Sequence, residues 1–412
     1  MDKKKKEHNQ EMENMYAQFD MLMEEVREFQ ATIEKELPKI QKKEMERIRK
    51  KLAAGEREIK SKKITPVSYV YLIHKGAKDI IKVGNYHPLS LNSSFLMLMT
   101  NFEYLIKQIL TYLILTYPEL IVDKKIKISI EDIDKCKDVV SVKHFLIQTY
   151  LNTFLFQDFS EQLKTVFKFL CITKNGLKIN FDLLEKANKI RNLLVHNRGI
   201  VTAEALAFLF DADEKMIGKI YVIPSKYLCH ISEEILAFGC ILIFSLAARI
   251  NAIDFLNHNV TNILYDLLCR KSFSATAKIY SSIERLFPVL DGQSLISSKI
   301  NYCIALKHIP EEKKTLDKIL ANLKTGHFDS KYEAAICVLK NDKENFIKCF
   351  PSSSIKLDDW NSWPLFEEWR KDRKLFNKIK GILKQNTEKE GEKQRQELRK
   401  NFPKLRKKSA KK

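Results

Sequence analysis

Near the start of the sequence, apolar positions recur three and four residues apart. Met12, Met15, Phe19, Leu22, Val26, Phe29 and Ile33 fall on one side of a helix with the spacing of a heptad seam. Pro38 interrupts that seam, and apolar residues then thin to Ile40, Ile48, Leu52 and Ile59. The pattern predicts a charged coiled-coil arm over 1–62; a helix docked on the body would use the same stripe. Residues 63–94 predict a linker or small hairpin. "KSKKITP" marks the linker, and "VSYVYLIHKGAKDIIKVGN" (Val67 to Asn85) sets two β-branched or aromatic runs around a glycine. "YHPLSLNSS" is expected to be a loop.

From Phe95 the period is helical and strong. "FLMLMTNFEYLIKQILTYLILTYPEL" predicts one helix closed by Pro118, and "VKHFLIQTYLNTFLFQDFSEQLKTVFKFL" one or two more. "NFDLLEKANKIRNLLVHN" predicts a helix with Asn180 as N-cap and Gly199 as its stop signal. An irregular stretch around "GKIYVIPSKY" leads into "ILAFGCILIFSLAARI" (Ile235 to Ile250). That run falls short of the roughly 20 apolar residues a spanning helix needs, so a buried core helix is expected. The 95–252 segment therefore predicts a helical bundle. Over 253–383, short helices joined by tight turns and punctuated by Ala275, Ala277, Ala305, Ala334 and Ala335 predict helical hairpins whose small residues allow close approach. Residues 384–412 form a basic tail ending in "KLRKKSAKK".

Composition supports an all-α fold. Among 412 residues only 11 are Gly and 10 Pro, too few for a turn-rich β protein. The balance of 72 Lys+Arg against 52 Asp+Glu, a formal +20, favours a polyanionic partner such as nucleic acid. Eight cysteines stand singly with no CxxC pair, mostly in apolar runs, and predict buried thiols in a reducing compartment rather than a zinc site. The basic N-terminus is followed by no apolar segment of the signal-peptide kind. A soluble, cytoplasmic chain without a membrane partner is expected, with no cofactor and no metal. No P-loop, GxGxxG or HExxH pattern occurs. His144 and His230 have no recognisable companions. Trp360, Trp363 and Trp369, in "WNSWPLFEEWRKDRKLF", predict ring packing in the last hairpins, with base stacking as the other use of such a mixture.

The densest chemistry lies in "NKIRNLLVHNRGIV", from Asn188. Leu184, Ala187, Ile190 and Leu194 supply the apolar stripe of its helix, which leaves Arg191, Asn192 and His196 at or beyond the stripe's edges. Residues five apart differ by about 140° around a helix, so Arg191 and His196 do not share a face, whereas Asn192 and His196 do. His196 falls in the last turn, where the helix dipole favours a cation. The amide of Asn192 is placed to orient its ring. Arg191 offers a planar fork for phosphate, and Arg198 adds a second cation. Imidazole is the side chain whose ordinary titration suits proton transfer near neutral pH. Glu103, mid-helix in an apolar stretch, is either a polar partner for Arg191 within the bundle or plain surface.

"RNLLVHNRGIV" resembles the signature of the HEPN superfamily, an Arg and a polar residue followed after a short run by His. It is most similar to the bacterial branch that reads Arg-Asn, three apolar residues, His-Asn, any residue, Gly and a β-branched pair. "NFEYLIKQILTYLILTYPEL" resembles the opening helix of that branch and "IYVIPSKYLCHISEEILAFGCILI" its final segment, so the resemblance covers about residues 90–252. It implies a four-helix bundle that dimerises, or forms a higher even-numbered oligomer, with two motifs meeting at a metal-independent ribonuclease site. It implies catalytic roles for Arg191, Asn192 and His196; Asn197 and Arg198, beside them, are the expected RNA contacts. The helices that follow resemble the tetratricopeptide-like repeats placed after effector domains in bacterial antiviral or abortive-infection proteins. The expected function is an RNA-cleaving effector with a trigger or antitoxin partner protein. The competing expectation is a non-catalytic module that dimerises or binds RNA while its repeats dock a partner.

Overall fold

A computed structural model describes residues 2–61, 66–121, 129–286, 291–323 and 330–384. The linker residues 62–65 and the basic tail beyond 384 lie outside the described residues. The described chain is all-α. Its only β pairing there is an isolated antiparallel bridge between Ile200 and Ile220. The chain divides into two compact units. One comprises 1–256 with 281–287, and the other 257–280 with the described residues from 291 on.

The first unit contains α1 (Asp2–Lys60), α2 (Pro66–Gly84), α3 (Tyr86–Thr116), α4 (Ile130–Asp134), α5 (Val139–Leu155), α6 (Phe159–Leu170), α7 (Phe181–His196) and α8 (Ser225–Arg249). Helices α3, α6, α7 and α8 each pack on the other three. Their shared centre is aromatic. Phe238 of α8 meets Phe102 at 5.7 Å, Phe181 at 5.5 Å and Phe167 at 6.1 Å between ring centroids. The apolar run in α8 is almost wholly buried, as a core helix. By length and composition it is the one described helix apolar enough to cross a membrane.

Two sequence expectations change here. The first 60 residues are not a separate coiled-coil arm: α1 runs unbroken through Pro38 and lies along α3 and α8 of its own unit. Its buried face is Met12, Met15, Phe19, Met23, Val26, Gln30 and Ile33, whereas Phe29 is 43% exposed. Arg27 of α1 pairs with Glu233 of α8 at 2.7 Å. At Gly239 an added Cβ would collide with the Phe19 ring, so this glycine is what lets α1 approach α8. The second correction concerns 63–94. Where a linker or hairpin is expected, α2 is a helix packed on α1, and "YHPLSLNSS" forms the first turns of α3. Gly76 marks the close approach, since a Cβ there would come within 2.9 Å of Leu52. Pro88 is tolerated because it sits in the first turn, where backbone N–H groups have no helical acceptor.

Helix α9 (Ile253–Cys269) passes from the first unit into the second, and α10 (Phe273–Leu286) returns to the first from Ser281; from residue 291 the described chain stays in the second unit. There α11 (Gly292–Lys307), α12 (Lys313–Asn322), α13 (Ser330–Leu339), α14 (Lys343–Cys349) and α15 (Leu357–Ser362) follow, with a last helix at 373–384. The five small residues that predict close helix approach are all buried. Trp360 and Trp369 are buried against Phe346, with Phe350 and Phe366 completing the cluster. Their rings are core, and only Trp363 is half-exposed. The cysteines depart from expectation. Cys240 and Cys303 are buried, while Cys171, Cys229 and Cys269 are exposed and the other three half-buried.

Candidate active site

Helix α7 presents the motif, and its two ends are fixed by different means. At the N-terminus the Asn180 side chain accepts from the Leu183 N–H at 3.0 Å, the cap read from the sequence. The Asn180 N–H in turn donates to the Glu234 carboxylate of α8 at 2.6 Å. Glu234 is fully buried, so this hydrogen bond ties the start of α7 into the core. At the other end the helix stops at His196. Arg198 and Gly199 take positive φ (52° and 74°), and the N–H groups of Asn197 and Gly199 both return to the Leu193 carbonyl at 3.0 Å. The chain then doubles back, with the Val201 N–H donating to Lys219 O and the Tyr221 N–H to Gly199 O. Asn92 of α3 clamps this return, donating to Tyr221 O and accepting from the Ile223 N–H, both at 2.9 Å. The apolar stripe of α7 shifts slightly from expectation. Leu193 is buried where Leu194 is half-buried.

An open cleft of about 660 Å³ lies between α7, α3 and the turn joining α5 to α6. Arg191, Asn192 and His196 all line it. Five residues apart, Arg191 and His196 point in different directions from α7. The cleft is wide enough to take both. Glu103 of α3 also lines it and receives the Arg191 guanidinium, Nη2 to Oε2 at 3.2 Å. Of the two uses open to Glu103, it therefore has the polar-partner one. Arg191 Nη1 donates to Asn192 Oδ1 at 3.1 Å. The Asn192 amide thus steadies Arg191; it does not hold the imidazole. His196 is exposed and makes no hydrogen bond among the described residues.

The other predicted contacts are partly brought in. Asn197 lines a smaller depression of about 290 Å³ that shares Asn192 and His196 with the main cleft. Arg198 is exposed but lines neither. The cleft also holds residues that periodicity did not single out: Lys107, Asn188, Gln157 and, at its rim, Phe156 and Tyr104. Among the described residues, no group of three or more His, Cys, Asp or Glu side chains is gathered as a metal site would require. Chemically, the arrangement offers a guanidinium and an ammonium for a phosphate, amides for a base edge or sugar, and an imidazole open to solvent.

No protein-family model matches this chain, and no curated protein or solved structure matches it either.

Proposed function

We propose that this cleft is the active site of a metal-independent endoribonuclease, assembled from the α7 motifs of two copies of the chain. The observation that carries the reading is the convergence of Arg191, Asn192 and His196 on one open cleft, with the Arg191 fork steadied by Glu103 and Asn192. In the reaction, an imidazole takes the proton of a ribose 2′-OH and the 2′-oxygen attacks the adjacent phosphorus. The P–O5′ bond breaks, the departing 5′-oxygen gains a proton, and a 2′,3′-cyclic phosphate remains. Arg191 stabilises the added negative charge on the phosphoryl oxygens. DNA lacks the attacking hydroxyl and is not cut by this route. Among the described residues His196 has no orienting hydrogen bond, which favours a composite site: the second copy supplies the other proton-transfer group and part of the surroundings. The wider reading, an effector of bacterial antiviral or abortive-infection defence controlled by a trigger or antitoxin partner, rests on the family resemblance.

The second reading is a non-catalytic dimerisation or RNA-binding module. What favours it is that Arg191 already carries a counter-charge and that the cleft rim exposes Phe156 (92%), Val195 (49%) and Tyr104 (42%). The two readings separate in one assay. Purified protein is incubated with total RNA in EDTA, and the products are examined for 2′,3′-cyclic phosphate ends. The ribonuclease reading expects EDTA-resistant cleavage that falls about 10²–10⁴-fold in His196→Ala and an even-numbered particle mass. Cleavage undiminished in His196→Ala overturns it, and absence of cleavage in the wild type favours the module.

A further inference from the structure

Phe156 is the most exposed large apolar side chain described, at 92%, and its ring meets no other ring among the described residues. Solvent exposure of a phenyl group is unfavourable, yet the turn that displays it is built. The side chain of Gln162, itself 9% exposed, reaches back from α6. Its Nε2 donates to the carbonyls of Leu155 at 3.1 Å and Gln157 at 2.9 Å. These two bonds bracket Phe156 and fix the turn from within. The backbone that carries the ring is thus already ordered before anything covers it.

What covers it must also suit its neighbours. Phe156 and Tyr104 share the cleft with the cations Lys107 and Arg191 and the amides of Gln157 and Asn188. Of the acids there, Glu103 is tied to Arg191, and Asp158 is exposed at the start of α6. An apolar protein surface seated on Phe156 would strip water from those polar groups and return few hydrogen bonds. A nucleotide offers a π-face to the ring, a phosphate to the cations and a polar base edge to the amides. The cleft volume of about 660 Å³ falls within the range of pockets that enclose small ligands. We propose that the cleft takes an unpaired nucleotide of RNA, whose base stacks on Phe156 beside the Arg191 phosphate contact. A base paired and stacked within a duplex has no free face to give, so single strands, loops and bulges are the substrate class.

The proposal rests on the ribonuclease reading for the identity of the polymer, but its test does not require cleavage. The probes are a short single-stranded 2′-O-methyl RNA, which lacks the attacking hydroxyl, and the same strand in a duplex. With the full chain, Phe156→Ala is expected to weaken single-strand binding about tenfold or more, the loss of one base–aromatic stack. Phe156→Trp is expected to keep the affinity, with its added fluorescence quenched on binding. Neither change alters duplex binding or particle mass. Equal loss on both probes, no loss on either, or a wild type that binds neither overturns the proposal. So does a lower particle mass in Phe156→Ala, which would make the ring a contact between copies. A chain that shows the Phe156 effect but never cuts natural RNA retains the stacking site and removes the nuclease. A chain whose His196-dependent cleavage ignores Phe156 does the reverse.

Discussion

Glu103 and Arg191 stand 88 positions apart in the chain and meet at 3.2 Å between α3 and α7. Both side chains are about one-third exposed or less, so water screens the pair and its share in stability is small, about 1 kcal/mol at most. Its weight is in aiming the guanidinium. Glu103→Gln is therefore expected to leave the denaturation midpoint nearly unchanged while lowering the single-turnover cleavage rate about tenfold. A large stability loss with an unchanged rate would make Glu103 a purely structural partner. His308 illustrates a different residue-level effect. It stacks on Phe273 at 4.0 Å, and burial holds its imidazole below the ordinary value of 6.5, with Lys307 adding to the shift and Glu368 opposing it. Because the unfolded chain takes up this proton first, the stabilising contribution is complete above about pH 6.5 and is lost as pH falls toward the lower folded value. Burial depresses His8 in the same direction. Melting temperature should drop between about pH 7.5 and pH 5.5, and His308→Phe should shrink that drop. An identical drop in the variant would place the proton uptake elsewhere. The Asn180 cap and the turn after His196 were legible because both depend on neighbours within a few residues. The Glu103 partnership depends on a fold 88 residues wide. Phe156 was hidden inside "YLNTFLFQDF", where an apolar run reads as buried helix and nothing local says that Gln162 will end it.

At the scale of elements, α1 shows why a spacing rule misled. A heptad seam places Leu22 and Phe29 beside Val26 and Ile33, but the buried residues are Met23 and Gln30. Met12 to Met23, Met15 to Val26 and Phe19 to Gln30 are each eleven residues, about three turns of a straight helix. The stripe therefore runs over α3 and α8 of its own unit. Two substitutions separate these geometries. Phe19→Ala should cost about 3–5 kcal/mol, seen as a lowered denaturant midpoint, while Phe29→Ala should stay within about 0.5 kcal/mol. Deleting residues 1–62 should unfold the first unit, where a coiled-coil arm would only have lowered the oligomer mass. The misreading of α2 has a related cause. Its β-branched residues favour strands in isolation, but packing on α1, made possible by Gly76 against Leu52, decides the conformation.

For the whole molecule, charge is unevenly divided. Residues 385–412 hold eleven Lys and Arg against four Glu, +7 of the chain's +20. If the chain binds RNA as proposed, such a segment would add phosphate contacts that carry no sequence information. Removing it is expected to weaken binding to all RNAs alike and to flatten the salt dependence, with the cleavage rate at saturating protein unchanged. A saturated rate that falls as far as in His196→Ala would move the chemistry beyond the α7 cleft.

The docking of α1 also imposes an order of events on synthesis. Phe19 leaves the ribosome some 220 residues before Gly239, which makes room for it. At roughly 5–20 residues per second, that interval lasts about 10–45 s. Until then α3 can cover only part of the stripe of methionine, phenylalanine and valine, and the side that seats on α8 stays open to a chaperone or to whatever apolar surface lies nearest. Chains emerging side by side on one message carry the same uncovered stripe at the same moment. Crowded translation is thus the condition under which this helix most readily finds the wrong partner, and slowing elongation lengthens the exposure.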